Sequence, residues 1–229
     1  MSFIVDNHSK ILEEIIEFKK KKNINLKTKI IAVSKTFKAD AILPLLRAGH
    51  KEFGENKVQE AHLKWAKLKQ DFNNINLHLI GPLQSNKVKQ ALDIFDCIQT
   101  LDREKIVLKI KNYINMRGNE LKTNHQFMVQ VNVDNESQKS GLNINEVTEF
   151  VKWCKFDIKI NIVGLMCIPD FNKDPSGAFK TLSKLADNCS LKEKSMGMSK
   201  DYLSAIEFGS SYIRLGTKIF GERVKQQLI

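Results

Sequence analysis

From residue 29 onward, short runs rich in apolar residues alternate with stretches whose apolar positions recur at helical spacing. The runs are KIIAVS (29–34), HKEFG (50–54), NLHLIG (76–81), FDCIQT (95–100), HQFMVQVNV (125–133), IKINIVGLM (158–166), EKSMG (193–197) and SYIRLG (211–216). KIIAVS is a continuous β-branched stretch, the pattern of a strand buried on both faces in a parallel sheet flanked by helices. Between the runs lie amphipathic segments at 41–49, 58–70, 86–93, 103–118, 144–154, 174–188 and 200–209. The first of these is expected to be capped by Asp40 and stopped by Gly49. Ahead of the first strand, ILEEIIEFKK places Ile11, Leu12, Ile15 and Ile16 at helical spacing, predicting a covering helix.

Eight strands separated by helices predict an α/β fold, a closed (β/α)8 TIM-type barrel with an extra N-terminal covering helix; about 250 residues is typical of that fold and the chain has 229. A doubly wound open sheet is disfavoured, because no GxGxxG follows the first strand and no P-loop occurs. Without linkers, low-complexity tracts or tandem repeats, 1–229 is expected to be one domain, with 1–28 as the N-terminal helix and lead-in. A barrel delivers every strand's C-terminal end to one face. That face gathers SKT, GEN, GPLQSNK, NVDNESQKSG, MCIP, GMS and GTKIFG.

Composition narrows the function classes. The 42% hydrophobic content suits one core, no run approaches the roughly 18–20 apolar residues of a membrane span, and MSFIVDNHSK does not resemble a signal peptide. A cytoplasmic protein without membrane contact is expected. Cys97, Cys154, Cys167 and Cys189 are scattered without metal-ligand spacing, so reduced thiols and no metal site are expected. A formal charge of +11 and a pI near 9.4 raise nucleic acid as a partner. The distribution argues against it: lysines spread along helix faces (Lys64, Lys67, Lys69; Lys105, Lys109, Lys111), and Lys19 to Lys22 end a helix where cations suit the dipole. No RNP-type, zinc-finger or arginine-rich pattern accompanies them. Abundant Lys, Asn and Ile match AT-rich codon drift instead.

Two segments carry chemistry. Lys35 closes the buried IIAVSK run; desolvation there favours the neutral amine, which can condense with an aldehyde. Barrels commonly bind phosphate through the loops after strands seven and eight, here SMGMS and RLGTKIFG. Gly197 permits close backbone approach, Ser199 offers a hydroxyl, and Gly216 with Thr217 supplies N–H groups and a second hydroxyl. A Schiff-base lysine facing a phosphate cradle suggests pyridoxal 5′-phosphate (PLP). A Schiff-base aldolase, whose substrate carries its own phosphate, fits the spacing too.

IIAVSKT, FGENKVQE, HLIGPLQSNK, QVNVDNESQKSG, GLMCIP, SMGMSKD and YIRLGTKIFGER, in that order from about residue 29 to Arg223, resemble the motifs of the pyridoxal phosphate homeostasis protein family. These are single-domain relatives of the barrel domain of bacterial alanine racemase. The resemblance implies that Lys35 carries PLP, that Ser199, Gly216 and Thr217 hold its phosphate, that Arg214 lies near the pyridine nitrogen, and that Asn56 and His78 line the pocket. It implies a carrier with little or no turnover that buffers a reactive aldehyde and passes it to apo PLP-dependent enzymes; a monomer is expected. Arg214 supports that reading chemically, since a permanently charged guanidinium disfavours protonation of the ring nitrogen and mutes the electron sink.

The chain departs from the family pattern at Phe37-Lys38, where a Lys-Pro pair is usual, and at Lys194, Lys200 and Tyr202. Lys139 keeps the family's basic residue and is a candidate second anion contact. The alternative is a racemase-like PLP enzyme, which needs a second acid/base opposite Lys35, typically a tyrosine. In alanine racemases it comes from a further C-terminal domain and a partner subunit, whereas here the sequence ends soon after the last barrel motif. Tyr202 and Tyr212 are the candidates within the chain, Tyr113 falling mid-helix.

Overall fold

A computed structural model of the chain describes residues 2–118, 124–136 and 138–222. Residues 223–229 of the expected domain and Ser137 of the QKSG-bearing loop lie outside the described residues. All eight expected strands form: β1 (Lys29–Val33), β2 (Glu52–Glu55), β3 (Asn76–Leu79), β4 (Cys97–Leu101), β5 (Gln126–Asn132), β7 (Ile162–Cys167), β8 (Glu193–Met198) and β9 (Tyr212–Leu215). They pair in parallel in the order β1-β2-β3-β4-β5-β7-β8-β9, and β9 returns to β1 to close the barrel. A two-residue strand, β6 (Leu142–Asn143), pairs with the C-terminal end of β5 at Val131 and Asn132 and was not signalled by the sequence.

Strand alternation divides the apolar residues into two sets. Outward side chains such as Ala32, Phe53, Leu77, Leu79, Val129, Leu165 and Ile213 pack under the helices in the main core. Inward ones, Ile31, Val33, Cys97, Met128, Met166 and Tyr212, fill the barrel. This interior is mixed rather than wholly apolar, because His78, Gln99, Gln130, Ser195 and Arg214 are also buried. Cys97, Cys154 and Cys167 are buried free thiols, and burial pushes the latter two up to about 12. Among the described residues there is no cluster of three or more metal-ligating side chains and no helix long and apolar enough to cross a membrane.

The covering helix α1 (Phe3–Lys22) starts earlier than its periodicity indicates. Ile4, Ile11 and Ile15 are buried, while Leu12 and Ile16 face solvent, so its buried stripe is narrower than expected. It lies against α2 (Ala39–Arg47), α8 (Tyr202–Glu207) and α9 (Thr217–Phe220). Asp40 is not the cap of α2: Lys38 occupies that position, and Asp40 lies in the first turn, where its charge suits the helix dipole. The expected helix over 144–154 is composite, a 3-10 turn (Ile144–Glu146), α6 (Val147–Lys152) and a π turn (Trp153–Asp157), opened by a capping box between Asn143 and Glu146.

Candidate cofactor site at the barrel mouth

Ile31 and Val33 face the interior while Ala32 and Ser34 face outward, and Lys35 follows, half-buried, two residues past the end of β1 at the C-terminal mouth. Its backbone belongs to a turn in which Phe37 N–H donates to Ser34 O at 3.2 Å. Phe37, one of the departures from the family pattern, stacks on Phe220 of α9 with ring centroids 4.9 Å apart.

The two expected phosphate loops meet beside this turn. β8 bends at Gly197, whose φ is +90° and where a Cβ would come within 2.5 Å of that of Ala205, so only glycine fits. Beyond it Asp201 accepts from Met198 N–H at 2.6 Å, closing a tight loop through Ser199. β9 ends at Leu215 and Gly216 opens α9. The Thr217 hydroxyl then lies 3.2 Å from that of Ser199. A Cβ on Gly216 would sit 3.6 Å from Val33, an ordinary contact distance, which puts the Gly-Thr turn directly against the end of β1. A methyl fits there; a branched side chain must press on Val33 or project across the mouth.

Arg214 lies inside the barrel, level with Ile31 in the β1–β9 register. It donates to Ser195 Oγ at 2.8 Å and to Cys167 O at 2.8 Å, and makes no ion pair among the described residues. Burial lowers its pKa, as it does for any cation removed from water. The bonds continue: Ser195 Oγ donates to Gln99 Oε1 at 2.7 Å, Gln99 Nε2 to His78 Nδ1 at 3.0 Å, and His78 Nε2 to Glu52 Oε2 at 2.8 Å. Glu52 in turn pairs with Lys29 at 3.0 Å, and Lys29 reaches Tyr212 Oη at 3.3 Å. Burial alone would raise the Glu52 carboxyl, but His78 and Lys29 outweigh it and hold it at about 2. Lys29 loses some charge stability to burial yet is raised to about 12 by Glu52. Tyr212 is pushed up to about 12, chiefly by burial.

Of the seven expected site residues, the structure therefore gathers Lys35, Ser199, Gly216 and Thr217 at the mouth, with Arg214 beneath them. Asn56, one residue past β2, has a buried Oδ1 that finds no hydrogen-bond partner among the described residues. Its backbone is crossed closely by the loop after β3, since a Cβ on Gly81 would lie 2.2 Å from Asn56 O. His78 takes a different place: both ring nitrogens are engaged and the ring is 2% exposed, so it connects to Arg214 through Gln99 and Ser195. Those two residues, with Glu52 and Lys29, were missed from sequence; the available signal was polar residues at inward-parity positions of buried strands. Lys139 pairs with Glu136 and, at 3.9 Å, with Asp134. It lines a cavity of about 270 Å³ with Ile80, Gln130 and Ile168. A larger cavity, about 950 Å³, lies outside the barrel against Glu146, Glu149 and Trp153 and touches none of the expected site residues.

The mouth has what PLP requires: a lysine amine, two neighbouring hydroxyls at a glycine turn, a guanidinium and a buried, unpartnered amide oxygen. Comparison with known proteins points the same way. The family model described as alanine racemase, N-terminal domain, matches residues 12–224. The pyridoxal phosphate homeostasis protein of Haemophilus influenzae is 36% identical over 231 aligned positions, covering 96% of both chains. That of Vibrio alginolyticus is 38% identical over 204 residues, covering 85% of this chain and 86% of its own. Among solved structures, PipY of Synechococcus elongatus with PLP bound superposes with a TM-score of 0.75 at 29% identity, covering 90% of this chain and all of PipY. Similarity at this level over nearly the full barrel shows that the chain belongs to the pyridoxal phosphate homeostasis protein family, within the wider alanine racemase N-terminal-domain family.

Proposed function

We propose that the protein holds PLP at the barrel mouth as a Schiff base on Lys35, with little or no turnover, and serves intracellular PLP homeostasis as a one-domain cytoplasmic monomer. The observation that carries this reading is the meeting of the Ser199 and Thr217 hydroxyls, 3.2 Å apart, beside the strand end that bears Lys35. In this reading Ser199, Thr217 and the N–H groups at Gly216 bind the phosphate, Arg214 lies near the pyridine nitrogen, and Asn56 offers its spare oxygen. His78 contributes from below by holding Gln99. When bound, PLP supplies an aldehyde and an electron-withdrawing ring. The Lys35 amine would be the group that takes up this aldehyde, C=N replacing C=O with loss of one water. Such a link would be reversible by water or by another amine, the property a donor to apo PLP-dependent enzymes needs.

The tyrosines favour the carrier over the racemase-like alternative. Tyr202 turns its hydroxyl to Lys218 at 3.1 Å, Tyr212 to Lys29 at the opposite end of the barrel, and Tyr113 to Asp93 at 3.0 Å. Each hydroxyl is thus engaged away from Lys35. Arg214, bonded to neutral acceptors, keeps its positive charge for the ring nitrogen. The test is the visible Schiff-base absorption of PLP-loaded protein. It is expected in the wild type and lost in Lys35→Ala with the fold intact by circular dichroism. A band that survives in Lys35→Ala transfers the role to another lysine, with Lys38 the nearest in sequence.

A further inference from the structure

Behind the turn that carries Lys35, on the outer side of the sheet, α3 (Val58–Asp71) presents a set of polar groups that the cofactor reading does not use. The turn itself is strained. Phe37 N–H closes it onto Ser34 O, leaving Lys35 and Thr36 as its central pair. Thr36 has φ +70°. The second central position of such a turn calls for a positive φ and so for glycine or asparagine; a β-branched residue there is a genuine outlier.

The peptide groups on both sides of Lys35 are held from α3. Ahead of it, Lys64 Nζ donates to Ser34 O at 2.9 Å. After it, Thr36 N–H donates to Glu60 Oε1 at 2.6 Å. Lys64 is itself fixed, its side chain only 8% exposed, by Glu55 at 2.9 Å and Glu60 at 3.4 Å. Glu55 is fully buried and also accepts from Ser34 Oγ at 2.7 Å and Trp65 Nε1 at 3.1 Å. A buried ion pair is costly to form, and an uncommon φ persists only where its surroundings impose it. The uncommon φ is that of Thr36, next to Lys35, and the ion-paired Lys64 and Glu60 are the groups that hold the Ser34 carbonyl and the Thr36 N–H.

We infer that Glu60 and Lys64 are positioning residues for Lys35: they impose the strained turn and so restrict the lysine backbone to the geometry from which its amine reaches the aldehyde carbon. This rests on the PLP reading. None of these α3 groups touches the cofactor in that reading, so their effect is on how often the amine is correctly placed, the quantity that orientation contributes to a rate. The bond change is the one already given, amine plus aldehyde to C=N plus water, with no oxidation or reduction.

The experiment measures two quantities with PLP as the probe: the rate of Schiff-base formation by stopped-flow absorbance, and non-covalent affinity in a Lys35→Ala background by fluorescence quenching. Glu60→Ala should slow Schiff-base formation about tenfold, the equivalent of one charge-assisted hydrogen bond. Glu60→Gln, which keeps an oxygen acceptor, should stay near the wild-type rate. Thr36→Gly, free to hold a positive φ unaided, should restore most of the rate lost in Glu60→Ala. Non-covalent affinity should be unchanged with or without Glu60→Ala. A wild-type rate in Glu60→Ala, an equal loss of non-covalent affinity, or failure of Thr36→Gly to rescue would each overturn the inference. If Glu60→Ala does not fold, Thr36→Gly is compared with the double variant; a tenfold deficit in the double overturns it equally. Absence of any Schiff-base band in the wild type would instead remove the PLP reading.

Discussion

Replacing Glu52 by glutamine removes a titrating carboxylate from the hydrogen-bond chain inside the barrel while keeping an oxygen that can accept from His78. The Glu52 side chain is 12% exposed, and its pKa lies at about 2 against an ordinary 4.5, because His78 and Lys29 outweigh the opposing effect of burial. A folded-state value below the unfolded one means stabilisation that is fully present above about pH 4.5 and lost as the pH falls toward 2. A depression of this size corresponds to about 3 kcal/mol at roughly 1.4 kcal/mol per unit. The Lys29 side chain is 41% exposed. Solvent therefore screens its share, and about 2 kcal/mol is the expected figure. The raised value of Lys29 is the same interaction seen from its partner and is not added. Urea unfolding of wild type and Glu52→Gln from about pH 7 to about pH 2.5 isolates this contribution, because any pH-independent cost of the substitution shifts the curves without changing their separation along the pH axis. The gap should narrow by about 2 kcal/mol across the window. Parallel stability curves would show that the carboxylate is not held as described.

Thr217→Ala should weaken PLP binding about 10- to 100-fold without moving the absorption maximum, since a hydrogen bond to a charged phosphate is worth about 1.5–3 kcal/mol. Gly216→Val should weaken it further; unchanged affinity in a fluorescence titration would place the phosphate elsewhere. Deuterium incorporation into L-alanine and L-serine by the PLP-loaded wild type should be slow or undetectable, and turnover at about 1 to 10³ per second would promote Tyr202 or Tyr212 to acid/base candidates. Trp65→Ala removes a fully buried indole and one donor to Glu55. It should cost about 3–5 kcal/mol in chemical denaturation, and a loss below about 1 kcal/mol would contradict the packing described behind β2.

The barrel strands were legible because buried parallel strands need continuous β-branched and aliphatic runs, and KIIAVS or FMVQV satisfy little else. The meeting of Ser199 with Thr217 was legible for a related reason: closing the sheet forces consecutive strand ends onto one face. What local sequence could not supply was the effect of closure on register. Strand parity places Gln99, Ser195 and Arg214 on the inward face, but the Arg214–Ser195 contact follows from the β8–β9 register with its irregularity between Ser195 and Met198, and the Ser195–Gln99 contact from closure, which sets β4 across the interior from β8. The pairing of Lys29 with Tyr212 likewise exists only because the last strand returns to the first.

Thr36 shows the same limit at a single residue. Turn chemistry would place glycine or asparagine after the lysine, and an isolated peptide with threonine there would avoid a positive φ. The fold overrides that preference through Glu60, from a helix that follows the second strand. At the other end of the site, Gly197 obeys the local rule, its positive φ and absent side chain both being required by Ala205. The phosphate side thus uses a conformation native to its residue, whereas the lysine side uses one imposed from behind. That division suits the proposed carrier, which would retain a cofactor and then release it. In the proposed function the phosphate loops would hold PLP whether or not the covalent link is formed, while the imposed turn would govern how readily Lys35 forms it.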